Sequence, residues 1–551
     1  MNVSVAIVGG GPVGLMLALF LDRHGVKTTL FNIDETTRMH PKGNTHSSRT
    51  VEHYRRLGLS ERIRNLGLPL DHPTDVAFFT HYNAWELARL QMPSEAEKRA
   101  AVSASSKTEQ VIEPILRANQ MYVERLLFEH ARQRPNITLR FGWEVTSFED
   151  FGSEVRLRAE KTAGGSAEDW TAQYMVGCDG GSGFVRKTLG IHYTGESTLE
   201  QAVFGGAMFS SHVRAPEIYR DALGQRRAWT YRVVREGIQF NLISLNGRDE
   251  FNVSRKAEDP SKPPNDEELV RQIQRGTGFD TPVDVIGHRA WHAGVALCAE
   301  RFGAGRIILC GDSTHLFTPS GGFGMNTGVD DAANLSWKLA ALVQGWGGSY
   351  LLDTYEAERK PIGQRNTIAA RELAKPFGAI KQTASLEADT PEGEVARRQA
   401  GSYLSTFGEE FASIGVQLGA RYDGSSIVVE DGAPPADNYI QYVPSAVPGG
   451  RAPHVWVDEG RGRGSSLFDR LGVGFTLLRL GPKAAPADSL QAAAKRRGIP
   501  LTVIELSDSV SRSMYGRDLA IVRPDQHVGW RGNAEPADAE ALWSRLTGAN
   551  E

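Results

Sequence analysis

Cysteine is scarce: the 551 residues contain three, Cys178, Cys298 and Cys310, far apart and without a CxxC pair. That spacing speaks against a disulfide framework, a zinc site and a dithiol redox centre, and it fits a reducing cytoplasm. No metal is expected. Long apolar runs are also missing, and none approaches the ~18 residues a membrane span needs. The N-terminus enters an apolar strand without a basic leader, so no signal peptide is expected. Neither sign of charge dominates: a formal net charge of −4 gives no reason to expect nucleic acid or an anionic membrane as partner. No internal repeat or low-complexity segment occurs.

What is present reads as an ordinary globular chain, 40% hydrophobic and 23% charged, long enough for two or three domains. Val3–Val8 reads as a buried strand, Gly9–Gly14 as a glycine turn, Pro12–His24 as a helix closed by Gly25, and Lys27–Ile33 as a second strand. This βαβ opening is about thirty residues long, as a parallel mononucleotide-binding unit should be. Arg49–Leu59 and Gln120–Arg134 have helical periodicity, and Ile137–Phe141, Val155–Ala159 and Trp170–Val176 alternate as strands. Strand-like pieces at Gln201–Phe209, Arg227–Val234 and Gly237–Leu245, with a helix at Asp266–Arg275, imply a mainly antiparallel second domain. Helices follow at Val329–Val343, at Leu351–Leu373 with a kink expected at Pro361, and at Glu392–Phe407. A Pro/Gly-rich boundary, Gly432–Pro453, precedes a small α/β unit.

Two stretches carry chemistry. Gly9-Gly10-Gly11-Pro12-Val13-Gly14 fits GxGxxG between a strand and a helix. Gly9, Gly11 and Gly14 permit the tight turn, the approach of a pyrophosphate and helix-on-strand packing, with Pro12 opening the helix. The ribose-binding acid usual after the second strand is replaced by Asn32. The second stretch is GDSTHLFTPSGGFGMNTGVDDAANLSWKLA, Gly311–Ala340. Asp312 closes a strand, Pro319 stiffens a loop, and Gly321, Gly322 and Gly324 bare the backbone before a long helix. Helix N–H groups there, at Met325 and Asn326, face the place where a flat, negatively charged ring would lie.

Together these stretches resemble the class A flavoprotein monooxygenases, the single-component aromatic hydroxylases. The nearer likeness is to the phenol-hydroxylase branch with a C-terminal thioredoxin-like domain. The GD motif matches Gly311-Asp312; the DG motif matches Asp179-Gly180, with Gly183 where a serine is usual and Arg186 in place. Arg117 and Gln120, opening a helix, resemble the segment that contacts ribityl and phosphates, and Arg49 stands where the family places an arginine near the cofactor.

The resemblance implies a Rossmann-like FAD-binding domain with an inserted, mainly antiparallel substrate domain and a C-terminal thioredoxin-like α/β domain. It implies boundaries of 1–75, 104–190 and 290–375 for the FAD domain, 76–103 and 191–289 for the sheet domain, 376–430 for a helical linker and 431–551 for the C-terminal domain. That last domain has no cysteine, so its expected role is packing or dimer support in a cytoplasmic homodimer. The implied reaction hydroxylates a phenolic small molecule, with or without displacement of a ring substituent. NADPH or NADH reduces FAD, and the flavin captures O2 as a C4a-hydroperoxide. A base beside the ring is expected. His46 is the candidate, with a pyrophosphate contact or plain exposure as alternatives; Pro319 would sit at the ring edge. Asn44, Tyr231, Asn241, Arg289 and His292 are candidate substrate contacts, Tyr231 also a catalytic one, each competing with a structural role. Tailoring of a polyketide or other natural product is a second reading, and a non-turnover FAD- or aromatic-binding protein a third. A single GxGxxG disfavours two-fingerprint flavin reductases, and no WxWxIP signature of flavin halogenases occurs.

Overall fold

The computed structural model describes residues 1–197, 206–235, 240–257, 259, 261–376, 383–457 and 466–549. The first residues of the strand-like runs Gln201–Phe209 and Gly237–Leu245 lie outside them. Four parallel pairings build the first sheet, because its strands are near-continuous apolar runs with helices on their faces. Its order is Gly303–Ala304, Ile307–Leu309, Ala167–Gly177, Asn2–Val8, Thr28–Asn32, Ile137–Phe141, extended by an antiparallel hairpin of Trp143–Asp150 and Val155–Lys161. The Pro12–Arg23 helix and the Phe323–Gln344 helix, called here the seat helix, pack together in its core.

The second sheet has seven strands, and all its pairings but one are antiparallel. Val76–Phe79 and Glu86–Leu90 join it from far upstream, through the parallel pairing of Val76–Phe79 with Thr230–Val233. Its faces differ. Ala77, Phe79, Tyr231, Val233, Leu242 and Val253 share an apolar cluster with Leu269 and Ile273 of the Asp266–Thr277 helix. Strand alternation therefore sends Arg232, Asn241, Asn252 and Ser210 to the opposite face. His40, in the loop after the second strand of the first sheet, meets Ser210 there at 3.3 Å.

The third sheet, Leu501–Leu506, Phe475–Leu480, Leu519–Val522, Val528–Gly532, is a parallel pair continued antiparallel. Buried charges fasten this unit to the first. Arg451 pairs with Glu52 at 2.6 Å, Arg523 with Glu358 at 2.6 Å, and Lys338 with the same Glu358 at 2.7 Å. The Asp525–His527 turn, with Gln526 at φ 66°, presents its backbone and side chain to Arg49. Among the described residues no helix is long and apolar enough to cross a membrane.

Candidate active site

The glycine turn separates packing from opening. A Cβ on Gly9 (φ 113°) would collide with the Cys178 carbonyl, and one on Gly14 with the Gly9 carbonyl, so both are required by helix-on-strand packing. At Gly11 a Cβ would meet nothing within 4 Å. The helix beginning at Pro12 has Gly11 as N-cap and no side-chain cap, which leaves its first N–H groups facing that open space. This is the cradle an anionic pyrophosphate needs. Asn32 braces the turn from inside: its Oδ1 accepts the Gly10 N–H at 2.9 Å and its Nδ2 donates to the Asp34 carbonyl at 3.1 Å.

The seat helix repeats the device. Its N-cap is Gly322, again without a side-chain cap, so the N–H groups of Gly324 and Met325 open toward the loop that carries exposed Pro319. Gly321 and Gly322 have φ of 73° and 69°, a region costly for any other residue, and a Cβ on Gly322 would sit 2.8 Å from Thr45 Cβ. The Asn326 side chain ties this end to the Thr45–Ser47 segment, donating to the Thr45 carbonyl at 2.9 Å and accepting the Ser47 N–H at 2.8 Å. Gln120, capped by Asn119, opens a helix beside Gly43, to whose carbonyl its N–H donates at 2.7 Å.

Around the seat, Asp312 leaves a third of its side chain exposed, with Lys42 at 3.4 Å. Asp179 is a brace: it accepts the Val185 N–H at 2.9 Å and the Ser313 hydroxyl at 3.1 Å, and burial pushes its carboxyl up. A Cβ at Gly183 would collide with the Asp179 carboxylate, which explains the glycine where a serine is usual. Arg186 stacks on Tyr193 at 4.0 Å and donates to the Ile191 carbonyl.

Several expected contacts are corrected. Arg49, expected near the cofactor, is buried with its donors on Asp330 (3.2 Å), Glu52 (3.0 Å), Gln526 (2.8 Å) and the Asp525 carbonyl (2.6 Å), and so ties the first sheet's helices to the C-terminal unit. His46 is fully buried between Tyr54 OH (3.0 Å) and the Ala118 carbonyl (3.1 Å). Burial lowers its pKa to about 4, and with both nitrogens engaged it cannot act as the base. Asn44 accepts from Asn119 at 2.8 Å and props the Gln120 helix. Tyr231 lies on the apolar face of the sheet, where it accepts the Ala228 N–H at 2.6 Å. His292 shares the face of His288, whose ring meets Asp266 of the covering helix at 2.8 Å. Asn241 and Arg289 do project from the opposite face, with Arg232, Ser210 and Asn252.

Two further residues stand at the seat: Arg117, the expected ribityl and phosphate contact, and Glu410, which had no assigned role. Arg117, buried, stacks on Trp229 at 4.0 Å, and its Nε has no hydrogen-bond partner; burial lowers its pKa to about 10. Glu410 accepts the Gly321 N–H at 3.4 Å and faces Arg232 at 3.5 Å. The arginine between apolar residues in Tyr231-Arg232-Val233 was a visible signal of a polar face; Glu410, in a polar connecting segment, offered none.

Residues 2–370 match the FAD binding domain family, and residues 445–549 match the C-terminal domain of aromatic-ring hydroxylases. The chain is a class A flavoprotein monooxygenase. It is 32% identical to the FAD-dependent monooxygenase apdD of Emericella nidulans over 98% of this chain and 89% of that one. It is 30% identical to 4-methyl-5-nitrocatechol 5-monooxygenase from Burkholderia, covering 98% and 96%. Among solved structures, the rebeccamycin biosynthetic enzyme RebC with reduced flavin superposes with a TM-score of 0.88 at 33% identity, over the whole of both chains. The monooxygenase carries FAD, uses NAD(P)H and O2, and hydroxylates an aromatic compound. Open space at Gly11 and two uncapped helix starts fit that cofactor.

Proposed function

We propose that the monooxygenase hydroxylates a phenolic ring held between the glycine seat and the polar face of the seven-stranded sheet. The observation that carries this reading is the contrast between that face, bearing Arg232, Asn241, Asn252 and Ser210, and the bare backbone of Gly321–Gly322 opposite. FAD, once reduced by NAD(P)H, supplies the oxygen-activating chemistry. The chain's own contribution is positional and electrostatic. Gly11 and the Pro12 helix start hold the pyrophosphate, and Asp312 the sugar chain. The N–H groups at Gly324 and Met325 stabilise negative charge on the ring, and Gly321 and Gly322, at positive φ, keep that backbone free of side chains of its own beside Pro319.

A natural-product substrate is the second reading, favoured by the identity with RebC, a rebeccamycin biosynthetic enzyme. Displacement of a ring substituent is favoured by the Burkholderia relative, named for a nitrocatechol. The deciding experiment incubates the purified yellow protein with NAD(P)H and a panel of phenols, nitrophenols and polycyclic aromatics. Stimulated NAD(P)H oxidation with one oxygen added to the ring supports the proposal. Release of nitrite marks displacement, and stimulation confined to polycyclic compounds selects the second reading. No stimulation by any aromatic rejects both.

The division at 75/76, 103/104, 190/191, 289/290, 375/376 and 430/431 is likewise proposed; the entry of Val76–Phe79 and Glu86–Leu90 into the second sheet supports the first two bounds, while Asp284–Ala293 runs across 289/290 within that sheet. A cytoplasmic location is supported by the three free cysteines. A homodimer, the family expectation, is checked by light scattering.

A further inference from the structure

The chemistry proposed above needs a group beside the ring to accept a proton, and His46 is fully occupied. Glu410 is placed for the task. It lies in the Ser405–Phe411 turn, in the connecting segment between the two family matches. Its side chain is only 9% exposed. Oε1 is anchored by the Gly321 N–H, which sets the carboxylate against the loop that leads into the seat helix. Oε2 makes no hydrogen bond, and its nearest donor is the Arg232 guanidinium, an ion-pair partner at 3.5 Å.

Glu358, more deeply buried, looks different: it has Oε1 on Arg523 and Ser425 and Oε2 on Lys338, Asn334 and Arg523. Oε2, held only by a long ion pair with Arg232, keeps a lone pair that a ligand hydroxyl can complete. The charged groups facing Glu410 are Arg232 from the sheet and Arg117 from the short Leu116–Arg117 strand, which pairs with Thr45–His46; Lys98 stands behind Arg117. Burial raises the Glu410 carboxyl, and the two arginines and the Gly321 N–H oppose that rise.

We propose that Glu410 is the catalytic residue that accepts the proton of the substrate's ring hydroxyl, a role that rests on the phenol hydroxylase reading. The substrate O–H bond breaks, the proton passes to Oε2, and the electron pair stays on the substrate oxygen and enters the ring. The ring carbon then bonds one atom of O2, while the other leaves as water with the two electrons supplied by NAD(P)H. When the resulting dienone loses its ring C–H proton and rearomatises, its oxygen takes the proton back from Glu410, which ends unchanged.

The test uses Glu410→Gln and Glu410→Asp in the FAD-loaded enzyme, with phenol, catechol and resorcinol as probes. Probe binding is read from the perturbation of the flavin absorbance. The expected result for Glu410→Gln is a fall in kcat of about 100-fold, a probe Kd within about threefold of wild type, and loss of the acid limb of the kcat–pH profile. Glu410→Asp retains that limb. A matching loss in Kd and kcat, or an acid limb that survives in Glu410→Gln, overturns the assignment and leaves Glu410 as an ion-pair partner of Arg232. Failure of every probe to perturb the flavin or stimulate NAD(P)H oxidation in the wild type overturns the phenol reading itself.

Discussion

The 22-residue seat helix puts two opposite environments on one element. Its first turn is glycine-capped, with open N–H groups. Two turns later every ionisable side chain is buried against a partner of opposite charge or a histidine. Asp330 meets Arg359 at 2.6 Å, Arg49 at 3.2 Å and His53 at 2.9 Å; Asp331 meets Arg359 at 2.7 Å and His315 at 2.6 Å; Lys338 meets Glu358 at 2.7 Å. The lesson is that polar groups are left open at the proposed ring seat and closed where the chain holds itself. The first condition concerns binding, the second stability.

Substitutions can break this contrast. The largest effect is expected from Arg359→Met, which removes the one buried cation shared by Asp330 and Asp331 and leaves Asp331 with His315 alone. Urea unfolding should show a loss of ~3–5 kcal/mol with or without FAD. A loss under ~1 kcal/mol would mean that the buried pairs are not what holds this end. At the other end, Gly322→Val must adopt a positive φ and intrude on Thr45. FAD affinity, read by flavin fluorescence, should fall about 10- to 100-fold; normal binding and turnover would show that the ring lies elsewhere.

Asp312→Ala should be milder and should separate the two properties further. Its exposed pair with Lys42 contributes little, so apoprotein stability should stay within ~0.5 kcal/mol, while FAD affinity falls about tenfold. An unchanged FAD affinity would remove Asp312 from the cofactor site.

The smallest effect is a pH dependence. Burial holds His46 neutral, with a pKa of about 4 against an ordinary 6.5. The unfolded chain therefore binds the proton more readily. This contribution to stability is full above pH 6.5 and is lost as pH falls toward 4. For Glu358, burial alone would raise the pKa, but Arg523 and Lys338 outweigh it and bring it to about 2, so its contribution is lost from pH 4.5 downward. His46→Gln should flatten the first slope and leave the second; an unchanged slope between pH 6.5 and 4 would show that His46 is not its source.

The opening βαβ unit was legible because its signals are local: an apolar run, three glycines at fixed spacing, then helical periodicity. Gly311–Asn326 was legible for the same reason, since a seat made of backbone advertises itself by the side chains it lacks. The side chains around it were less so. Arg49 has the right type and neighbourhood for a phosphate contact, yet its partners Asp525 and Gln526 lie 476 and 477 residues away. Tyr231 and Arg232 are adjacent, and only the pairing register and the covering helix decide which one faces the seat.

By itself, then, the sequence determined which helix starts lack a side-chain cap and which loop backbone is bare, the features on which the proposed seating of a dinucleotide and of a flat, charge-bearing ring rests. Both depend on φ preference and hydrogen-bond geometry within a few residues. Tertiary structure decided which cations serve the site and which bind the domains together, and it brought Glu410 to Gly321. Those outcomes depend on burial and on partners distant in sequence, which cost or stabilise only once the sheets and the C-terminal unit have closed around them.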